Sequence, residues 1–167
     1  MDTPLPPYNT DNPETHCCDL IEPTRWDNQE IVLDRQLFAK VRVRNFLHVP
    51  LSMGTAMKAA WAKIKAAQAE PASWLMLSVD ESAWRGVHYL AVSKEVPGLE
   101  TTRLPGTYRT KVFEGPYRDA PKWVAAMQAL VKDEGHEMRR LFFFYTACPK
   151  CAQHFGKNYV VGFAQVA

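Results

Sequence analysis

Long apolar runs, a surplus of one charge and a basic leader are all missing from this 167-residue chain. Its longest unbroken apolar stretch, Leu141 to Tyr145, falls far short of the roughly 20 residues a membrane-crossing helix needs, so no membrane partner is expected. Twenty Lys+Arg against eighteen Asp+Glu leave a net charge of only +2, which argues against a dedicated nucleic-acid binder. Met1-Asp2-Thr3-Pro4 opens neither a basic nor an apolar leader, so nothing points to secretion and the expected compartment is the cytoplasm. G-x-S-x-G, H-E-x-x-H and Walker-type loops are absent, and the serine-hydrolase, zincin and nucleotidase readings lose their best support. What is present is ordinary for a globular protein: 47% hydrophobic and 23% charged residues, in a length that suits one domain with a core of its own.

Proline is unevenly spread. Pro4, Pro6, Pro7, Pro13 and Pro23 crowd the first 23 residues, which also lack an apolar period. Residues 1–35 are therefore expected to be an extended arm and not a core element. From Gln36 the pattern sharpens into a domain over 36–167. Leu37, Ala39, Val41 and Val43 alternate with Lys40, Arg42 and Arg44, the period of a half-buried strand. Met57, Trp61, Ile64 and Gln68 then recur at three- and four-residue steps, an amphipathic helix broken by Pro71. Trp74 to Val79 and Gly86 to Ser93 read as a hairpin around Asp80, Glu81 and Ser82. The first half is β-α-β-β.

The second half repeats it. Tyr108, Thr110 and Val112 alternate with Arg109, Lys111 and Phe113 up to Gly115-Pro116. Asp119 and Pro121 open a helix that carries Trp123, Met127, Leu130 and Val131 and stops at Gly135. Leu141 to Tyr145 and Tyr159 to Val166 supply the last strands. An offset of 66 sends Met57, Trp61 and Ile64 onto Trp123, Met127 and Leu130, and Leu75 to Leu77 onto Leu141 to Phe143. Beyond that strand the offset is 72, Val87 onto Tyr159, so the second hairpin holds about six extra residues, Cys148-Pro149-Lys150-Cys151 among them. The expected fold is α+β: duplicated β-α-β-β units, about 36–96 and 100–167, forming one antiparallel sheet with two helices on one face and a pseudo-twofold cleft between the units.

The duplication, with Leu104-Pro105-Gly106-Thr107-Tyr108 and Phe113-Glu114-Gly115-Pro116-Tyr117 in its second unit, resembles the gyrase-inhibitor-like (GyrI-like) small-molecule and effector-binding domains over about residues 36–167. Phe113 to Trp123 and Gly156-Lys157-Asn158-Tyr159-Val160-Val161 resemble a bacterial branch of that group often labelled hydrolase. The resemblance implies an aromatic cleft that takes planar or cationic organic molecules, with hydrolysis of a xenobiotic-like compound as one outcome. This chain departs from it in lacking the acidic residue that many relatives carry near the C-terminal strand end, where Phe163-Ala164-Gln165-Val166-Ala167 stands. A protein-partner-binding module of gyrase-inhibitor type and a thiol-based metal or redox sensor are the alternatives.

Stacking and cation–π attraction require aromatic faces near strand ends, which nominates Trp74, Trp84, Tyr89, Tyr117, Phe144 and Tyr159 as ligand-binding residues. Trp61 and Trp123, on the helix stripes, read as core. For acid–base work the candidates are Glu114, on the face of Tyr108, Thr110 and Val112, and Glu81 beside Trp84, with the Tyr89 or Tyr145 hydroxyl polarising the substrate. His88 and Tyr89 occupy opposite faces of one strand, so at most one lines the cleft. All four cysteines come in close pairs, Cys17-Cys18 and Cys148-x-x-Cys151, flanked by His16 and His154. Four soft thiolates would select zinc. The competing readings are a reversible disulfide in the loop and free, partly buried thiols. Nothing in the pattern settles whether the chain is a monomer or a homodimer.

Overall fold

The computed structural model describes residues 2–8 and 12–167, so residues 1 and 9–11 of the proline-rich segment lie outside the described residues. The chain runs β1 (Glu30–Val32), β2 (Leu37–Phe46), β3 (Val49–Pro50), α1 (Met53–Ala66), β4 (Met76–Ser82), β5 (Arg85–Val92), β6 (Glu100–Arg103), β7 (Thr107–Glu114), α2 (Ala120–Asp133), β8 (Met138–Tyr145), α3 (Pro149–Phe155) and β9 (Tyr159–Val166). Among the described residues nine strands form one antiparallel sheet in the order β1-β7-β9-β8-β4-β5-β2-β3, with β6 added alongside β2. The duplicated units are β2-α1-β4-β5 and β7-α2-β8-β9. They meet where β4 and β8, the matched strands, pair at Ser78 and Phe143.

Alternation sorts each strand between two faces. On one, Ala39, Val41, Leu90 and Val92 pack against Ala60 and Ile64 of α1. On the same face of the second unit, Phe143, Val160 and Ala164 pack against Trp123, Met127 and Val131 of α2. Both helices therefore share a face and leave a groove between them. No helix among the described residues is long and apolar enough to cross a membrane.

The other face corrects the expectation of an arm outside the core. Phe38, Tyr108, Phe142, Phe144 and Phe163 there are sealed by Tyr8, Ile21, Trp26 and Leu33. Trp26 is 1% exposed and lies edge-on to Phe163 and tilted on Phe144, with centroids 6.2 and 5.4 Å away. Backbone pairing follows the packing. Asp27 Oδ1 accepts the Val112 N–H at 2.9 Å, and the buried Thr110 hydroxyl donates to the Trp26 carbonyl at 2.5 Å. With β1 these bonds close the polar edge of β7, which would otherwise invite another chain. Proline here limits the period without limiting burial, because a chain without helix or ladder can still insert single large side chains.

Two smaller differences matter for the site. The inserted residues of the second hairpin are helical, with Cys148 capping α3 and Cys151 buried within it. The first hairpin is longer than expected, since β4 runs on through Asp80 and Glu81 to Ser82.

Candidate functional site

The groove between α1 and α2 encloses about 2190 Å³. That exceeds the several hundred Å³ of a closed pocket for a drug-sized molecule, in keeping with a long trough open to solvent. Its floor is the junction of the two units, including Met76, Ser78, His88, Leu141 and Phe143. Met57 and Trp61 of α1 form one wall, and Tyr117 and Val124 beside and on α2 form the other. One end is closed by Cys17, Cys18 and Cys148.

Aromatic pairs stand on both sides. Trp61 and Trp74 stack at 4.7 Å with an interplanar angle of 23°. Tyr117 and Tyr145 meet edge to face at 5.3 Å, and the Tyr117 hydroxyl donates to the Ala147 carbonyl at 3.0 Å. Burial pushes the Tyr145 phenol up to about 12, helped by the charge of Asp80, and burial also raises Tyr117. Both therefore stay protonated at neutral pH, and Tyr145 is a hydrogen-bond donor instead of a base.

The polar groups of the floor cluster at one place. Ser78 Oγ and His88 Nδ1 are 2.7 Å apart across the β4–β5 pair, and His88 Nε2 is buried without a hydrogen-bond partner among the described residues. Burial lowers the His88 pKa to about 4 against the opposing pull of Asp80, so the ring is neutral. Asp80 is the carboxylate of this cluster: Oδ1 accepts from Asn45 Nδ2 at 3.0 Å and Oδ2 lies 2.9 Å from His48 Nδ1. The Asn45–Asp80 bond passes over Gly86, where an added Cβ would sit 3.1 Å from Asn45 Nδ2 and 3.4 Å from Asp80 Oδ1.

Of the ligand-binding and acid–base residues nominated from sequence, Trp74, Tyr117 and Tyr145 line the groove, as does His88. The others lie elsewhere. Tyr89 faces the opposite side of the sheet, edge-on to Phe142, and Phe144 is sealed beneath Trp26 and Tyr8. Tyr159 packs at the margin of that same core. Trp84 is 56% exposed at the hairpin tip against Phe46. Glu114 is exposed at the end of β7, where pairing to Tyr159 of β9 continues through it without opening a gap. Glu81 is exposed and pairs with Arg85 at 3.9 Å. Sequence reasoning missed Ser78, Asp80 and Trp61 as groove residues. Parity could have found the first two, because Ser78, Asp80 and His88 share one face of the hairpin.

Cys17, Cys18, Cys148 and Cys151 do come together: their Sγ atoms all lie within 4.8 Å of one another and could hold a metal ion. The Cys148 N–H donates to Cys18 Sγ at 3.4 Å. Burial raises Cys18 and Cys17. At Cys151 burial acts in the same direction, but hydrogen bonds from the neighbouring sulfur groups outweigh it and bring the thiol down to about 7.

An uncharacterized conserved protein from Listeria innocua superposes with a TM-score of 0.63 at 14% identity, covering 84% of this chain and 92% of that one. A hydrolase from Listeria innocua superposes with a TM-score of 0.61 at 15% identity over the same shares, 84% and 92%. At such identities the likeness shows a common fold. No curated protein matches the sequence. The family described as bacterial hydrolase matches residues 8–166, which takes in both units together with most of the N-terminal segment that covers the sheet. This chain belongs to the bacterial hydrolase family.

Proposed function

We propose that the groove binds a planar or cationic organic molecule, as in GyrI-like effector-binding domains, and that hydrolysis, where it occurs, takes place over the Tyr145–Asp80 end of the floor. The observation that carries this reading is the placing of flat aromatic faces on both walls, Trp61 and Trp74 on one side and Tyr117 with Tyr145 on the other. A ligand ring held between such walls gains stacking and, if cationic, attraction to the ring faces. For hydrolysis the Tyr145 hydroxyl would donate to a carbonyl or similar acceptor, and the Asp80 carboxylate would orient the attacking water. Glu114 and Glu81, exposed outside the groove, take no part. The four-cysteine cluster belongs to the same reading as a structural zinc centre at the end of the groove.

Fluorescence anisotropy with rhodamine 6G tests this, fluorescein serving as the anionic counterpart. Saturable binding of the cation is expected, weakened about tenfold by Trp61→Ala, with weaker binding of the anion. A protein that binds neither dye would not have the proposed activity. One observation favours the protein-partner alternative: Phe46, Leu47, Val49, Leu51 and Trp84 are large apolar side chains left exposed around the first hairpin. Under that alternative the dyes would not bind, and substitution of Leu47 and Trp84 would abolish partner capture.

A further inference from the structure

Residues 12–19 form the end wall of the groove, His16, Cys17, Cys18 and Asp19 lining it. Very little fastens them there. Their hydrogen bonds among the described residues are almost all internal: Asn12 N–H to the Cys17 carbonyl at 3.1 Å, His16 N–H to the Asn12 carbonyl at 2.7 Å, and Asn12 Nδ2 to Asp19 Oδ1 at 2.5 Å. The contacts that cross to the body of the protein are the Cys148 N–H on Cys18 Sγ, the Cys17 and Cys148 sulfurs at 4.0 Å and an exposed pair between Glu14 and His154 at 3.2 Å. No large apolar side chain of 12–19 is buried. An isolated turn held only by weak N–H···S and sulfur–sulfur contacts and one exposed ion pair would fray from the surface.

The sulfurs supply what the hydrogen bonds do not. Cys17 and Cys18 Sγ are 3.5 Å apart, Cys17 and Cys148 Sγ 4.0 Å, and all four lie within 4.8 Å of one another. Zinc bound tetrahedrally at about 2.3 Å from each sulfur sets S···S distances of about 3.8 Å, within this range. A disulfide, at about 2.05 Å, would need two of the sulfurs to close by more than about 1 Å from the separations seen here. His16, next to the cysteine pair, has a positive φ of 52°.

We propose that Cys17, Cys18, Cys148 and Cys151 bind one zinc ion as a tetrathiolate, and that this ion is the clasp fastening residues 12–19 over the end of the groove. The clasp rests on the zinc reading given above and gives the ion a mechanical role. It joins a segment to an element some 130 residues away in sequence that otherwise barely touches it. Metal binding displaces one proton from each thiol, and no oxidant or reductant is needed.

Full-length untagged protein prepared in metal-replete medium should carry about one zinc per chain by elemental analysis, and Cys17→Ser/Cys18→Ser should carry little. Zinc is then displaced with p-hydroxymercuribenzoate and restored with dithiothreitol and zinc. Hydrogen exchange in peptides spanning 12–22 should speed at least tenfold on removal and return on restoration, while peptides of β7 and β9 stay protected. Absence of zinc with four freely reacting thiols would overturn the proposal, as would full zinc in the double variant. Zinc that leaves without changing exchange in 12–22 would sink the clasp while sparing the metal site. Rhodamine binding tests the groove alone, so failure of that reading is visible separately.

Discussion

His88 sits in the floor of the groove with Ser78 on Nδ1 and, among the described residues, no partner on the buried Nε2, an arrangement that favours a neutral ring. Its folded-state pKa, about 4, lies below the ordinary 6.5, so the unfolded chain binds the proton more readily. The stability gained from the neutral ring is therefore complete above pH 6.5 and is lost as pH falls from 6.5 towards 4. Its ceiling is on the order of 3 kcal/mol. Urea denaturation across that window should show the loss, and His88→Gln should flatten it while leaving the curve above pH 7 with the same slope. An unchanged acid limb in the variant would refute the role of this side chain. Sequence placed His88 and Tyr89 on opposite faces and nominated Tyr89 for the cleft, whereas His88 is the one that lines the groove. Apart from Arg85 every residue of β5 is buried, so both faces of the strand look alike from composition.

At the level of elements, the two units differ where each helix crosses its strands. In the second unit α2 rests on Gly162, and a Cβ added there would lie 2.7 Å from Met127 Sδ and 3.1 Å from its Cγ. Met127 is fully buried, so it has little room to yield. Gly162→Ala should cost about 1–3 kcal/mol, the usual range for overpacking. Met127→Ala in the same background should cost less than it does alone, because the two changes share one space. Equilibrium denaturation of the two single variants and the double variant measures this; strict additivity would count against the contact. The matched residues of the first unit are Leu90 and Trp61. There Leu90 fills the space that Gly162 leaves open, and Trp61 stands at the groove edge, stacked on Trp74. The helical period identified the stripe containing Trp61. It could not distinguish a stripe residue over the strands from one at the margin, because both fall on the same side of the helix.

For the molecule as a whole, the N-terminal segment is the second layer of a fold whose repeat supplies only one. Without Tyr8, Ile21 and Trp26, the face carrying Phe142, Phe144 and Phe163 would meet water, and a nine-stranded sheet bare on one side is an aggregation surface. Deletion of residues 1–28 should abolish cooperative thermal unfolding and drive the protein into aggregates, as followed by circular dichroism and light scattering. A soluble truncated protein with a sharp transition would show that the two units suffice. Alternation and helical period determined, from sequence alone, the duplicated units, the common sheet, the shared helix face and the cleft between them, because these follow from local spacing. The offset of 66, by contrast, put Leu77 onto Phe143, and these lie on opposite faces of the sheet. Tertiary structure decided which side of each strand the N-terminal segment covers, which aromatics reach the groove, and that two cysteine pairs so far apart in the chain converge. Those outcomes depend on burial by segments distant in sequence, and no local period encodes what a side chain will meet across the core.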